Sequence, residues 1–247
     1  MFLNEFYSQK DSSFRFTQQQ ASRFAKTVAN DYNKIHDVDN KRFCVPGDLL
    51  FAVSLTKFGL SETMKIDFTG MVKNDVDMQF SPLLDNKTTI VNADDKAFME
   101  LEVSGKSSHN EDIISKIITE YVQFSGKNFP DVMVPLMRSE NLMFNPARTI
   151  IMYKCMQISM SRVDVKNISL KFNNAIIDVY GKRATVTFKF DFYDSEEKVG
   201  TGQKEMLLSG LIPYEESVMN GVIADYQAAK AKYLSAASES PIYALTD

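Results

Sequence analysis

Two histidines occur in the 247-residue chain, His36 and His109. His36 closes the segment Phe24-Ala25-Lys26-Thr27-Val28-Ala29-Asn30-Asp31-Tyr32-Asn33-Lys34-Ile35-His36, which also carries Asp31. A carboxylate and an imidazole on one short loop can hold a single water between them. Such a pair places the water and moves its protons, an acid–base contribution of roughly 10²–10⁴-fold in rate. Spacing alone is a weak signal, because aspartate is common in this chain. Joint placement strengthens it: the pair ends an amphipathic helix, Asn33 lies between the two, Ile35 precedes the histidine, and an apolar helix opens soon afterwards at Gly47.

Other constellations carry less. Asp37, Asp39, Asn40 and Asp48 gather carboxylates, but the glycine and terminal glutamate of a calcium loop are missing, so a solvated acidic loop is expected. His109 falls in a polar linker, where it is expected to be exposed. The thirteen methionines are scattered and read as core filler, although flexible Met-lined pockets also suit acyl chains. There is no glycine-rich phosphate loop, zinc-ligand spacing or serine-nucleophile elbow, so no cofactor and no metal are expected.

Patterning indicates the elements that must hold the Asp–His loop. Thr17 followed by Gln20 has the form of a capping box. Ala21, Phe24, Ala25 and Val28 then recur at helical spacing, and the helix should stop near Asn30. Pro46-Gly47 opens a helix that is apolar nearly all round and therefore buried on every side. Val76, Met78 and Phe80, then Met99, Leu101 and Val103, alternate with polar residues as half-buried antiparallel strands do. From Asn110 the order repeats. An amphipathic helix runs through Ile113, Ile117 and Tyr121 toward a stop at Gly126, and Asn145-Pro146 introduces a second apolar stretch, Ile150 to Cys155, read as a second buried helix. Strands follow at Ile168–Phe172, Ala184–Phe192 and Gly202–Leu211. Glu215 to Ala237 carries an additional amphipathic helix, expected to pack on the sheet or to serve as an association surface.

A helix wrapped by a long antiparallel sheet describes a hotdog fold, and two such units in one chain would cover each other's open faces. The expectation is therefore α+β, a double hotdog with an extra C-terminal helix, divided into residues 1–109 and residues 110–247. Apolar residues at 44% and charged residues at 24% are ordinary for a globular chain. A net charge of −4 implies no basic face, so nucleic acid is not an expected partner. Two cysteines are too few for a disulfide framework. The chain has no secretory-type N-terminal pattern and no membrane-length apolar run, so a cytoplasmic location with no membrane partner is expected. Homodimerisation is left open.

The segment from Phe24 to His36 resembles the signature of the MaoC-like, R-specific enoyl-CoA hydratase family of hotdog proteins. Phe24, Ala25, Asp31, Asn33, Ile35 and His36 match that signature. Asn30 stands where the family usually has glycine, Lys34 where it usually has proline, and Pro46 where a polar residue usually precedes Gly47. The resemblance implies hydration of 2-enoyl thioesters, or dehydration of 3-hydroxyacyl thioesters, on CoA or acyl carrier protein. It implies that Asp31 and His36 share the acid–base work, that the Gly47 backbone N–H binds the thioester oxygen, and that Asn33 shapes the loop. In the second half, Lys127 and Val132 align with Asp31 and His36, so one site per chain is expected. The interval from His36 to Gly47 is shorter than the family's. This leaves open a non-catalytic acyl-CoA-binding or regulatory protein, and a hotdog thioesterase remains a third reading.

Overall fold

The computed structural model describes residues 2–148 and 150–238, so the end of the expected second division, residues 239–247, lies outside the described residues. Chain order begins with strands β1 (Ser8–Lys10) and β2 (Ser13–Arg15), helices α1 (Gln18–Thr27) and α2 (Gly47–Phe58), and strands β3 (Leu60–Phe68), β4 (Met78–Phe80), β5 (Lys87–Asn92) and β6 (Ala97–Ser108). Helices α3 (Glu111–Gln123), α4 (Ser125–Asn128) and α5 (Met133–Ser139) follow. Strands β7 (Leu142–Met143), β8 (Ile150–Met160), β9 (Ile168–Tyr180), β10 (Arg183–Asp194), β11 (Glu197–Ser209) and β12 (Ile212–Pro213) lead to helix α6 (Glu216–Ser238).

Ten strands form one antiparallel sheet in the order β1-β2-β4-β5-β6-β3-β8-β11-β10-β9. The β3–β8 ladder, from Thr63 opposite Ser159 to Asp67 opposite Cys155, joins the early strands to the late ones. The sheet curls around two helices. On α2, Phe58 meets Phe80 of β4 at 5.1 Å between rings, Ser54 reaches Met99 of β6, and Asp48 contacts residues of β8 and β11. On α3, Tyr121 packs its ring on Phe190 and Phe192 of β10 and donates its hydroxyl hydrogen toward carbonyls of β8 and β11. The helices touch each other through Phe51 and Tyr121, 5.0 Å apart. This is a double hotdog, an α+β fold with an added C-terminal helix.

The burial of α2 follows from its composition: Leu49 through Leu55 are all buried, so the helix needs cover on every side. Helix α3 is amphipathic and turns Ile114, Ile117, Ile118 and Tyr121 inward. Asn110 caps it, accepting from the Asp112 and Ile113 N–H groups. Thr17 and Gln20 form the capping box expected for α1.

Two expectations need correction. The apolar run Ile150 to Cys155 is part of strand β8 rather than a second buried helix, and residues 146–148 before it form only a 3-10 turn. The run pairs with β11 and meets β3 only at Cys155, and periodicity alone cannot separate a short continuous apolar strand of this kind from a buried helix. The second wrapped helix is α3. Helix α6 spans the expected residues, but near the site it packs on loop residues rather than on the sheet: Tyr226 stacks edge-on against Tyr32 and Phe129, and Lys34 pairs with Asp225 at 2.9 Å. None of the helices among the described residues is long and apolar enough to cross a membrane.

The loop after α1 is fixed by a close backbone crossing. Asn30 adopts φ +52°, a left-handed conformation that asparagine tolerates and that glycine, the residue found there in the resembling family, adopts freely. Gly126 passes directly over it, its N–H donating to the Ala29 carbonyl at 3.0 Å. A Cβ at position 126 would lie 2.0 Å from the Asn30 carbonyl oxygen. Gly126→Ala should therefore force the two segments apart and lower stability by about 1–3 kcal/mol, read as a lower urea midpoint at unchanged slope.

Candidate active site

Asp31 and His36 come together on the wall of one cavity of about 520 Å³. The Asp31 amide donates to the Ala25 carbonyl at 2.8 Å, which folds the chain back over the end of α1. One Asp31 oxygen, Oδ1, accepts from the Asn33 N–H at 2.9 Å. Asn33 in turn accepts from the Ile35 N–H at 3.1 Å, capping the 3-10 turn Lys34–His36 that presents the imidazole. Lys26, almost fully buried, pairs with Asp37 at 2.7 Å and anchors the far side of the turn.

The other Asp31 oxygen, Oδ2, lies 3.6 Å from His36 Nε2, with the side chains 23% and 12% exposed. His36 Nδ1 lies 2.7 Å from the Cys44 carbonyl. A carbonyl can only accept, so Nδ1 carries hydrogen and the Nε2 of a neutral imidazole presents a lone pair. Two acceptors then face each other across a gap too long for a direct hydrogen bond. A molecule with two O–H donors, such as water, satisfies both and leaves its own lone pairs directed elsewhere.

Gly47 begins α2 on the same cavity wall. No side chain caps this helix start, because Pro46 occupies the cap position. The helix end therefore offers unsatisfied N–H groups and a partial positive charge. A Cβ at position 47 would lie 2.9 Å from the Tyr153 ring and 3.1 Å from that of Phe68, so only glycine lets these rings close over the backbone.

Beneath Gly47 lies a polar cluster that sequence reasoning missed. Lys204 of β11, with no exposed surface, donates to Asp48 Oδ1 at 3.0 Å, to the Tyr121 carbonyl at 2.6 Å and to Ser125 Oγ at 2.9 Å. Tyr153 donates to Asp48 Oδ2 at 3.1 Å and lies 2.7 Å from Ser125 Oγ. The tyrosine has one hydrogen and the carboxylate only accepts, so Ser125 must donate to Tyr153. Burial pulls the Lys204 pKa down, while Asp48 and then Asp31 oppose it. Burial, with the Asp48 charge, pushes the Tyr153 phenol well up and keeps it a neutral donor. Asp48 is thus a buried ion-pair partner, not part of a solvated acidic loop. A signal was present: Lys204 falls on the inward-facing side of β11 with Gly202 and Leu208, where a charge needs a partner.

Apolar groups dominate the rest of the cavity: Leu50, Phe68, Met133, Phe144, Ile151 and Met206 all line it. Cys44 also faces it, but burial, opposed by Lys73, pushes its thiol up to about 11, so it stays protonated near neutrality and is a poor nucleophile. Ser125, Asn128, Phe129 and Tyr153 reach the cavity from beyond residue 110, and Val222, Asp225 and Tyr226 of α6 flank it.

Residues 1–217 match the family described as "Protein of unknown function (DUF3581)". No curated protein matches the sequence significantly. Similar solved structures include a tesB protein of Mycobacterium avium subsp. paratuberculosis, at 11% identity over 83% of this chain and 96% of that one, with a TM-score of 0.42. An acyl-CoA thioesterase II, TesB2, of Mycobacterium marinum is similar at 10% identity over 87% and 100% of the two chains, with a TM-score of 0.46. A conserved protein of unknown function with a hotdog fold from Alicyclobacillus acidocaldarius is similar at 9% identity over 87% and 99%, with a TM-score of 0.49.

The buried pair yields a direct test of the cluster. Removing one partner strands the other as a buried charge, which costs about 3–5 kcal/mol. Lys204→Met should lower the unfolding free energy by that amount, read as a lower urea midpoint at unchanged slope. The double variant Lys204→Met with Asp48→Asn should recover a substantial part of the loss, because no uncompensated charge remains.

Proposed function

This chain belongs to the DUF3581 family, and we propose that it acts on acyl thioesters by activating a water between Asp31 and His36. The observation that supports this reading is the pair of facing acceptors, Asp31 Oδ2 and His36 Nε2 at 3.6 Å, on the wall of a largely apolar cavity that also presents the start of α2. An acyl chain suits the apolar wall, and a thioester carbonyl suits the uncapped helix start.

The leading reaction is hydration of a 2-enoyl thioester, or its reverse, on CoA or acyl carrier protein. The bridging water gives a proton to the Asp31–His36 pair as its oxygen bonds to the β-carbon. The π electrons move onto the thioester oxygen, where the Gly47 N–H stabilises the enolate charge. The protonated pair then returns the hydrogen to the α-carbon, so one water is added across the double bond. Asn33 contributes by holding Asp31 and the 34–36 turn in register.

Hydrolysis is the second reading, and one feature favours it. A thioester oxygen held at Gly47 belongs to the carbonyl carbon, so the same water needs only a different acyl position to meet that carbon instead of the β-carbon. Incubation of the pure protein with 2-enoyl-CoA and saturated acyl-CoA thioesters, following enoyl absorbance and free thiol together, distinguishes the two. The expected result is loss of enoyl absorbance without thiol release, reduced about 10²–10⁴-fold in both Asp31→Asn and His36→Ala. Thiol release that disappears in those variants assigns hydrolysis instead. Binding of thioesters with no turnover of either kind overturns the catalytic reading and leaves a binding protein.

A further inference from the structure

The sheet is symmetric about the β3–β8 junction: β6, β5 and β4 follow on one side, and β11, β10 and β9 on the other. Strands β4 and β9 therefore hold equivalent places, but their outer edges differ. The edge of β4 is covered by β2, with Ser13 opposite Gln79 and Phe14 opposite Met78. Strand β9 ends the sheet, and among the described residues no strand pairs with its outer edge. It carries Phe172 at 43% exposed, Ile176 at 41%, Val179 at 37% and Tyr180 at 49%. A long apolar edge of this kind is a template for another strand, and folded proteins rarely leave one bare.

Only the second half of β9 is open. In the first half, the Leu170 N–H donates to the Glu120 carboxylate at 3.4 Å, and Asn173 forms a bulge with no opposite residue on β10. From Asn174 to Tyr180 the pairing with β10 is regular. Tyr180 and Arg183 close a two-residue hairpin loop, Gly181-Lys182, so the hydrogen bonds of that pair join β9 to β10. Bonding alternates along an antiparallel pair, so the N–H and C=O groups of Val179, Ile177 and Ala175 point to the free edge. Among the described residues, no backbone group of another segment meets them. The side chains of these three stand opposite Ala184, Val186 and Phe188, all buried, and so share the core side of the sheet.

We propose that β9 pairs antiparallel with β9 of a second copy of this chain, about a twofold axis at Ile177. This register is the one that uses all three edge-facing residues. Ile177 meets its own counterpart, and Ala175 of each copy meets Val179 of the other. The core side thus gains an apolar stripe that runs through the axis, with a small residue facing a larger one at each end. On the opposite face Ile176 stands against Asp178 and Asn174 against Tyr180, so no like charges oppose each other. Charge is complementary just beyond the paired residues. Lys182, exposed at the hairpin tip, comes alongside Phe172 of the other copy, near the Glu120 carboxylate that holds Leu170. The axis repeats this contact at the other end, and a closed twofold contact covers both open edges at once. No residue of β9 lines the cavity, so the inference is independent of the acyl-thioester reading.

Sedimentation velocity of the full chain across micromolar concentrations tests this. Wild-type protein should sediment as a dimer that releases monomer on dilution. Val179→Pro removes an N–H that β10 does not use, so the variant should keep a Tm close to that of wild type while its mass falls to half. Should it fail to fold, Val179→Lys, which sets a cation on the stripe from an already exposed position, carries the same expectation. Cross-linking under mild oxidation reads the register. The two Cα atoms at the axis would lie about 5.5 Å apart, within disulfide reach, so Ile177→Cys should give a covalent dimer. Ile176→Cys should not, because its counterpart lies diagonally across the pair at about 7–8 Å. Protein that is monomeric at every concentration overturns the inference. So does a dimer that survives both substitutions at position 179, or one that fails to cross-link through position 177.

Discussion

The ion pair between Lys204 and Asp48 sits where the two wrapped helices and the middle of the sheet meet. A lysine with no exposed surface can remain charged there only because three acceptors take its three hydrogens. Those acceptors come from different parts of the chain: the first turn of α2, the last turn of α3 and the start of α4. Tyr153 of β8 closes the circuit by donating to the same carboxylate. The pair thus acts as a fixed point. From it, one line of contacts runs through Asp48 to Gly47. Another runs through Ser125 and Gly126 to the Asn30 backbone and so to Asp31.

This geometry explains why a side chain at either of two glycines would be costly. Gly126 lets α4 pass against the Asn30 backbone, and Gly47 lets the Tyr153 and Phe68 rings cover the start of α2. In both places the missing side chain is what brings a site residue within reach of the Lys204 cluster. Asn30 completes the arrangement by accepting a left-handed turn that directs Asp31 back toward His36.

Local patterns in the sequence were enough to outline much of this. The capping box at Thr17, the cap at Asn110, the all-apolar α2 and the alternating strands β6 and β10 depend on short-range chemistry, and each appears in the fold. The apolar run at Ile150 to Cys155 did not yield to the same reasoning, because its becoming strand depends on pairing with β11, some fifty residues further along the chain. The loop from Asp31 to His36 was legible because its residues interact with near neighbours. Ser125, Tyr153 and Lys204 were not, since their roles arise from contacts spanning 28 to 156 positions in the chain. Helix α6 was visible as a helix, but its place beside the site depends on Tyr32 and Phe129, which no periodicity connects to Tyr226.

The hydrogen-bonding inventory of the cavity wall narrows what can fill it. The Lys204 cluster is internally satisfied, with every hydrogen assigned a direction, so it shapes the wall without demanding a ligand. With the imidazole neutral, Asp31 Oδ2 and His36 Nε2 both accept and call for donors from whatever lies between them. Most of the remaining wall is apolar, with Leu50, Phe68, Ile151 and Met206 on it. A purely hydrocarbon ligand would leave the polar points unmet, and a small polar solute would leave the apolar wall wet. A long apolar group ending in a compact polar head, accompanied by one water, satisfies all of them at once.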